Sequence, residues 1–293
     1  MQDKKKRDIC LNQILGSKFF QDQRITNDFH LNWKDFNYWS WIINQYEIFL
    51  KKKCSKKIVP KKIHQIWIGG AVPKKYDKWR SSWEKKNPDY EYFLWDEKKI
   101  LQLGLVNHEE FVKTKQNIVK ADIARYEILF KEGGIYVDTD FESLKKIKPQ
   151  LLTFSFIAGQ MTTNEPHINN AIIISEKNSK ILKLIIDGMK NRKLPSKLDV
   201  MEVLKYYGVF YLTNIIKKNR KILNNIVIMP SQYFYPWPNL FLHNGHNRYS
   251  YVTRTSLAIH HWEVSWLRNS IYKRIFFKLK ELLFFKIHEK FNK

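Results

Sequence analysis

A glycine pair set between a helical run and a short β-branched run, and closed by two aspartates, limits this chain more than any other stretch. The residues are Gly133-Gly134-Ile135-Tyr136-Val137-Asp138-Thr139-Asp140. Upstream, from Ile118 to Lys131, Ala121, Ala124, Ile128 and Leu129 recur at helical spacing. Gly133 is placed to be the left-handed residue that ends such a helix. Helix, glycines, strand and acidic pair make one αβ unit. The pair then falls at the carboxyl end of a buried strand, where open α/β sheets bind ligands. Side chains at i and i+2 of an extended segment share a face, so Asp138 and Asp140 can both reach one hard divalent cation, which prefers oxygen ligands. An Asp-x-Asp pair alone is more often an ordinary surface turn; its neighbours decide.

The rest of the chain repeats the αβ alternation. Pro60 opens an apolar segment, Lys62–Ile68, that stops at Gly69-Gly70. Tyr90–Trp95 reads as a second strand closed by Asp96, and further apolar segments lie at 151–158, 171–174 and 226–229. This predicts an α/β domain with a mostly parallel central sheet. Residues 1–57 carry an aromatic patch from Trp33 to Trp41 and the basic run Lys51–Lys57, and read as a helical extension packed on that domain.

From Arg268 onward, Tyr272, Ile275, Phe276, Leu279, Leu283 and Ile287 form one helical stripe among lysines and Arg274. Such a basic amphipathic helix over 268–293 suits the surface of an anionic membrane, or an ordinary terminal helix with a solvated lysine face.

Charge widens the candidate partners. Lysine and arginine outnumber acidic residues by 52 to 28, a formal +24 that attracts nucleic acid, anionic lipid or phosphorylated small molecules. A composition rich in Lys, Asn and Ile, as an A/T-rich genome gives, accounts for part of that excess. With 44% apolar and 15% aromatic residues the chain is globular. Its two cysteines, Cys10 and Cys54, form neither a disulfide framework nor a metal motif, which favours a reducing compartment. Met1–Asp8 lacks the apolar segment of a signal peptide, and no apolar run reaches the ~18–20 residues that span a bilayer. The expectation is a cytoplasmic protein, soluble or peripheral on the inner face of the membrane.

Three further blocks give the acidic pair company. Asp122 and Arg125, in Lys120-Ala121-Asp122-Ile123-Ala124-Arg125-Tyr126, share a face of the helix that feeds the Gly-Gly strand. A surface ion pair there would be worth little. Lining the same cleft, Asp122 would accept from hydroxyls and Arg125 would donate to an anion or a sugar oxygen. Trp67, in Ile63-His64-Gln65-Ile66-Trp67-Ile68-Gly69-Gly70, offers a face to a flat base or simply packs in the core. His260-His261-Trp262 closes an apolar strand, and either imidazole can join two carboxylates around Mn²⁺ or Mg²⁺.

These blocks, in this order, look like glycosyltransferase family 32, the transferases with a DXD sugar-binding motif. That group includes bacterial capsular-polysaccharide transferases and yeast initiating mannosyltransferases, and the catalytic domains of large clostridial toxins are related. The resemblance covers roughly residues 60–266. It implies a GT-A fold, a Rossmann-like nucleotide half continuous with an acceptor half, over residues 58–267. It also implies roles. Trp67 would stack on the nucleotide base, Tyr136 would lie near the nucleotide, and Asp122 with Arg125 would hold the donor sugar. Asp138 would contact ribose, sugar or the metal shell, and Asp140 would ligate the metal. His260 matches the family's C-terminal histidine, and Ser265 with Trp266 would close over the diphosphate. The donor would be a nucleotide-sugar, with UDP-hexose favoured and GDP-mannose the other candidate. The acceptor would be a glycan or lipid-linked glycan, and the anomeric configuration would be retained. Two features depart from the family: Tyr207-Gly208-Val209 stands where a Gly-Pro often precedes a threonine, and the segment 230–249 has no assigned counterpart and is read as shaping the acceptor pocket. The N-terminal anchor of secretory-pathway relatives is not expected here.

Two other classes compete. A nucleic-acid-binding protein would explain the +24 but not the acidic pair, and no reader motif is present. A metal-dependent phosphohydrolase or nuclease usually needs more carboxylates for two metals, and Glu142 is the only close addition.

Overall fold

The computed structural model describes residues 14–22, 36–53, 56–161, 167–190, 192, 197–237 and 247–263. Six strands form the main sheet: β1 (Lys62–Ile66), β2 (Glu91–Trp95), β3 (Gly134–Val137), β5 (Phe156–Gln160), β6 (Ile168–Ser175) and β7 (Ile226–Met229), in the order β2-β1-β3-β6-β5-β7. β1 pairs in parallel with β2 and β3, and β5 with β7; β6 runs antiparallel to both of its neighbours. The mostly parallel α/β sheet is therefore present, with one reversed strand. Parallel neighbours need long crossovers, which helices supply, whereas β5 and β6 follow each other closely in sequence and so pair antiparallel.

Two segments differ from their sequence reading. The apolar run 151–158 divides, because Pro149 opens a 3₁₀ turn over Pro149–Thr153 before β5 begins at Phe156. Pro fixes φ where a helical turn begins, and an apolar run cannot register that change of period. The segment Lys62–Ile68 ends as a strand at Ile66, and Gly69 and Gly70 turn away at φ +100° and +108°.

The helix expected between Ile118 and Lys131 spans Asn117–Glu132 (α3), and Gly133 ends it at φ +64°. Gly134 has φ +104°, and a Cβ there would stand 2.6 Å from the Lys62 carbonyl oxygen. The double glycine thus lets the chain leave α3 and lie directly against β1.

One hydrophobic core runs from Ile14 to Trp262. The N-terminal part contributes helix Phe36–Lys51 (α1), whose Trp39, Ile42, Tyr46 and Phe49 are buried. Tyr46 is tied to the far end of the chain, its hydroxyl meeting Asp22 Oδ2 at 2.8 Å and the Tyr233 hydroxyl at 2.9 Å. Helix Asp77–Lys86 (α2) buries Trp79 and Trp83, and Trp83 donates to the Phe141 carbonyl at 2.9 Å.

A second, two-stranded sheet pairs β4 (Phe141–Ser143) with β8 (Ala258–His260), placing Phe141 opposite His260. Within the main sheet, the β5–β6 register jumps at Ala158/Gly159 from Ile173 to Asn169. Such a bulge re-aims side chains locally, and Asn170 lies inside it. Among the described residues, no helix is long and apolar enough to cross a membrane. Cys10, Cys54, Trp33 and the whole of 268–293 lie outside the described residues.

Candidate active site

Helix α3 delivers Asp122 and Arg125 to the sheet, where both are buried rather than facing solvent. Arg125 Nη2 lies 3.0 Å from Asp122 Oδ1, and Nη1 lies 3.2 Å from Asp138 Oδ1 and 2.8 Å from the Asn170 carbonyl oxygen it donates to. The guanidinium also sits over the Tyr136 ring, 4.7 Å from its centroid. Burial works against the charge of Arg125, but the surrounding carboxylates of Asp138 and Asp122 outweigh it and hold the guanidinium protonated. Asp122 goes the other way: burial, reinforced by the charge of Asp138, pushes its carboxyl up to about 6, against the pull of Arg125 and a hydrogen bond from Asn170.

The bulge in β6 explains that last contact. Asn170 Nδ2 donates to Asp122 Oδ1 at 2.9 Å and to the Tyr126 hydroxyl at 3.1 Å. Asn170 was not among the residues singled out from sequence. Only the pairing irregularity, not its residue type, marks it. The departure at Tyr207-Gly208-Val209 falls beside the same carboxylate: a Cβ on Gly208 would lie 3.5 Å from Asp122 Oδ2. Thr213 fastens the turn without the proline, donating to the Val209 carbonyl at 2.8 Å and accepting from the Ile168 N–H at 2.9 Å.

Strand β3 ends in the acidic pair. The Asp138 backbone is anchored on both sides, its N–H donating to the Ala171 carbonyl at 2.9 Å and its carbonyl accepting from Gln65 Nε2 at 3.0 Å. Tyr136 is buried and donates its hydroxyl to Asp138 Oδ1 at 2.6 Å. Burial raises the Asp138 carboxyl above the ordinary range. Asp140, like Asp138, is half-buried, yet its neighbours reverse the outcome. His260 Nε2 at 3.1 Å and the Glu263 backbone N–H at 2.7 Å from Oδ2 hold Asp140 below the usual carboxylate value. Two carboxylates of one motif are thus pushed apart in acidity by what surrounds them.

The two histidines also separate. His261 has both ring nitrogens engaged: Nδ1 lies 2.6 Å from Arg248 Nη1, and Nε2 lies 2.9 Å from Glu142 Oε2. Because arginine only donates, Nδ1 accepts and the Nε2–H donates to Glu142. His261 is then a neutral structural imidazole, stacked on Trp79 at 4.2 Å, and burial lowers its pKa. His260 instead stacks on Phe141 at 4.7 Å, points Nε2 at Asp140, and leaves its buried Nδ1 without a hydrogen-bond partner among the described residues.

One ligand atom from each of Asp138, Asp140 and His260 lies within 4.8 Å of the other two. Two carboxylate oxygens and one imidazole nitrogen at that spacing fit a single divalent cation such as Mn²⁺ or Mg²⁺. The side chain of Trp67 is half-buried, its ring 5.1 Å from Tyr76, and its indole N–H has no partner among the described residues. Ser265 and Trp266 lie outside the described residues.

Residues 73–157 match the family model described as a glycosyltransferase sugar-binding region containing a DXD motif, a span that holds Asp122, Arg125, Asp138 and Asp140. That matched span, similar to a DXD-type sugar-binding region, lies on the mostly parallel α/β sheet. The chain is 26% identical over 184 residues to inositol phosphoceramide mannosyltransferase 3 of Schizosaccharomyces pombe, covering 61% of this chain and 50% of that protein. An uncharacterized glycosyltransferase of Acanthamoeba polyphaga mimivirus is 29% identical over 237 residues, 78% of this chain and 91% of the viral one. The chain spans half or less of the length of the fungal mannosyltransferases it matches. Among solved structures, the catalytic domain of alpha-toxin from Clostridium novyi superposes with a TM-score of 0.47 at 12% identity, covering 84% of this chain and 86% of the toxin domain.

Proposed function

We propose that this chain transfers a hexose from a nucleotide-diphospho-sugar to a glycan or lipid-linked glycan, with retention at the anomeric carbon and with Mn²⁺ or Mg²⁺ held by Asp138, Asp140 and His260. The observation that carries this reading is the continuous chain of contacts from Asp122 through Arg125 to Asp138, ending beside the Asp140–His260 pair. In its support, hydroxyl acceptors, a fixed guanidinium and a metal-type donor set lie in one run of contacts.

Each residue then has a task. Asp122 accepts from hydroxyls of the donor sugar, kept in place by Asn170 and Arg125. Arg125 is fixed by carboxylates on both sides, so its position is set before substrate arrives, which is where electrostatic catalysis gains most. Tyr136 holds Asp138 by one oxygen. Glu263 and His260 fix both oxygens of Asp140. A bound divalent cation would offset the charge that develops on the leaving nucleoside diphosphate. No side chain stands out as a covalent nucleophile, so front-side displacement is favoured, with the leaving phosphate helping to deprotonate the acceptor hydroxyl. Trapping a covalent glycosyl-enzyme by mass spectrometry would sink that route.

The mannosyltransferase names among the relatives favour a mannosyl donor, and the Trp67-Ile68-Gly69-Gly70 setting favours a UDP-hexose. A panel of UDP- and GDP-sugars scored for metal-dependent nucleotide release separates them. Release from none of them, or release that persists in Asp140→Ala, would overturn the proposal. The hydrolase reading loses its extra carboxylate, because Glu142 is engaged with His261 and Tyr249. Membrane contact through 268–293 rests on sequence alone, and liposome co-sedimentation with and without those residues tests it.

A further inference from the structure

Glu142 follows Asp140 by two positions, yet it is not one of the three donors that converge on a single point. Its Oε2 instead accepts from His261 Nε2 at 2.9 Å and from the Tyr249 hydroxyl at 2.7 Å. His261 is further fixed by Arg248 on Nδ1 and by the Trp79 ring on its face. Nothing in the chemistry proposed above uses these groups.

What they join does matter. Asp140 immediately precedes β4, and His260 is the last residue of β8. Those strands meet through three residue pairs only, Phe141 with His260, Glu142 with Ile259 and Ser143 with Ala258. A two-stranded ribbon is marginal without further support. Beyond β8 the chain also turns sharply, with Trp262 at φ +52°, a left-handed conformation that a non-glycine residue adopts at a cost. That turn is what lets the Glu263 N–H reach Asp140. A short ladder and a strained turn therefore set the distance between Asp140 and His260, and the Glu142–His261 contact crosses the ladder beside them.

We propose that Glu142, acting through His261 and Tyr249, is a positioning residue for the cation: it locks β8 against β4 so that His260 Nε2 stays beside Asp140. This rests on the reading that Asp138, Asp140 and His260 hold a divalent ion. Groups one step behind metal ligands typically change affinity by about 10–100-fold when lost, and Glu142 is expected to act at that scale although it reaches the ligand through the register of a strand.

The test titrates Mn²⁺ alone into the full chain and follows free Mn²⁺ by electron paramagnetic resonance. Glu142→Ala is expected to weaken Mn²⁺ binding by about 10–100-fold, and Tyr249→Phe by a smaller factor, because it removes one of two bonds. Saturating Mn²⁺ should restore nucleotide release to Glu142→Ala, which a general loss of folding would not allow. Tyr249 is 45% exposed, so Tyr249→Phe and the isosteric Glu142→Gln carry the test if Glu142→Ala fails to fold. Asp140→Asn separates the two ideas. If it loses Mn²⁺ while the Glu142 and Tyr249 variants bind within about twofold of wild type, the positioning role is wrong and the cation site stands. If Asp140→Asn binds like wild type, the cation reading itself falls and takes this role with it. Failure of excess Mn²⁺ to restore release to a Glu142 variant that is folded but binds Mn²⁺ weakly would likewise overturn the positioning role.

Discussion

Arg125 and Asp138 stand 3.2 Å apart, one on helix α3 and the other at the end of the strand that the helix feeds, and Asp122 holds the same guanidinium from the opposite side at 3.0 Å. A buried arginine flanked by two carboxylates is costly to assemble, since charges leave water, and costly to break, since removing one partner strands the others. Here the arrangement favours a defined site over maximal stability.

Asp122 gives the clearest reading of that trade. Its carboxyl rises from 3.8 to about 6 in the fold, chiefly through burial, so the folded state resists its ionisation. The cost is absent below pH 3.8, grows between 3.8 and about 6, and is complete above, reaching about 3 kcal/mol. Arg125 and Asn170 both use Oδ1, so Asp122→Asn preserves their acceptor. This variant should be more stable than wild type at pH 7.5 by up to that amount and lose its advantage near pH 4, while sugar transfer falls by roughly 10²-fold or more. Urea unfolding at the two pH values, beside a transfer assay, checks both halves. Equal stability at both would refute the first.

Asp140→Asn should leave the fold intact, because the amide oxygen can still accept from Glu263 N–H. Nucleotide release supported by Mn²⁺ should drop by more than the roughly 10–100-fold expected for an outer partner. Far-UV circular dichroism with a release assay measures the split between structure and activity.

His64 should make the protein acid-sensitive. Its Nε2–H donates to the Gly133 carbonyl at 2.9 Å while Nδ1 accepts from Trp95 at 3.1 Å, an arrangement only the neutral ring satisfies. Burial lowers its pKa from 6.5 to about 4. The neutral ring's contribution is whole above pH 6.5 and drains away as pH falls toward 4, about 3 kcal/mol in all. His64→Gln should flatten that part of the stability–pH curve, and an identical slope in variant and wild type would count against the assignment.

Two glycines with the same backbone sign should respond differently. Gly134→Ala must place a Cβ 2.6 Å from the Lys62 carbonyl at φ +104°, whereas Gly70→Ala at φ +108° meets nothing within 4 Å. Gly70→Ala should cost only the conformational strain, about 1–2 kcal/mol. Gly134→Ala should cost several kcal/mol or prevent folding, because β1 must move away from β3. Melting temperatures of the pair provide the comparison.

The helix to Glu132, the strand from Gly134 and the acidic pair were readable because each is encoded locally, by periodicity, by glycine and by alternation. The reversal of β6 and its bulge were not, because an all-buried strand carries the same apolar letters in either direction. Asn170 reaches Asp122 across 48 positions and Glu142 reaches His261 across 119, distances at which no local pattern signals a contact. His260 and His261 were equivalent as letters. Arg248 and Glu142 separate them by occupying both nitrogens of one ring.

The β4–β8 ladder also sets an order of events during synthesis. Asp140 and His260 are 120 positions apart, so the first leaves the ribosome on the order of ten seconds before the second. Strands β1, β2 and β3 can pair meanwhile, and Asp122, Arg125 and Asp138 can meet, but the cation's third donor does not yet exist. A nascent chain stopped between residues 140 and 259 would carry the whole motif from Gly133 to Asp140 and still lack the proposed third donor, His260. On the proposed cation site, metal capture would be a late event, reporting that nearly the whole described chain has been made and folded.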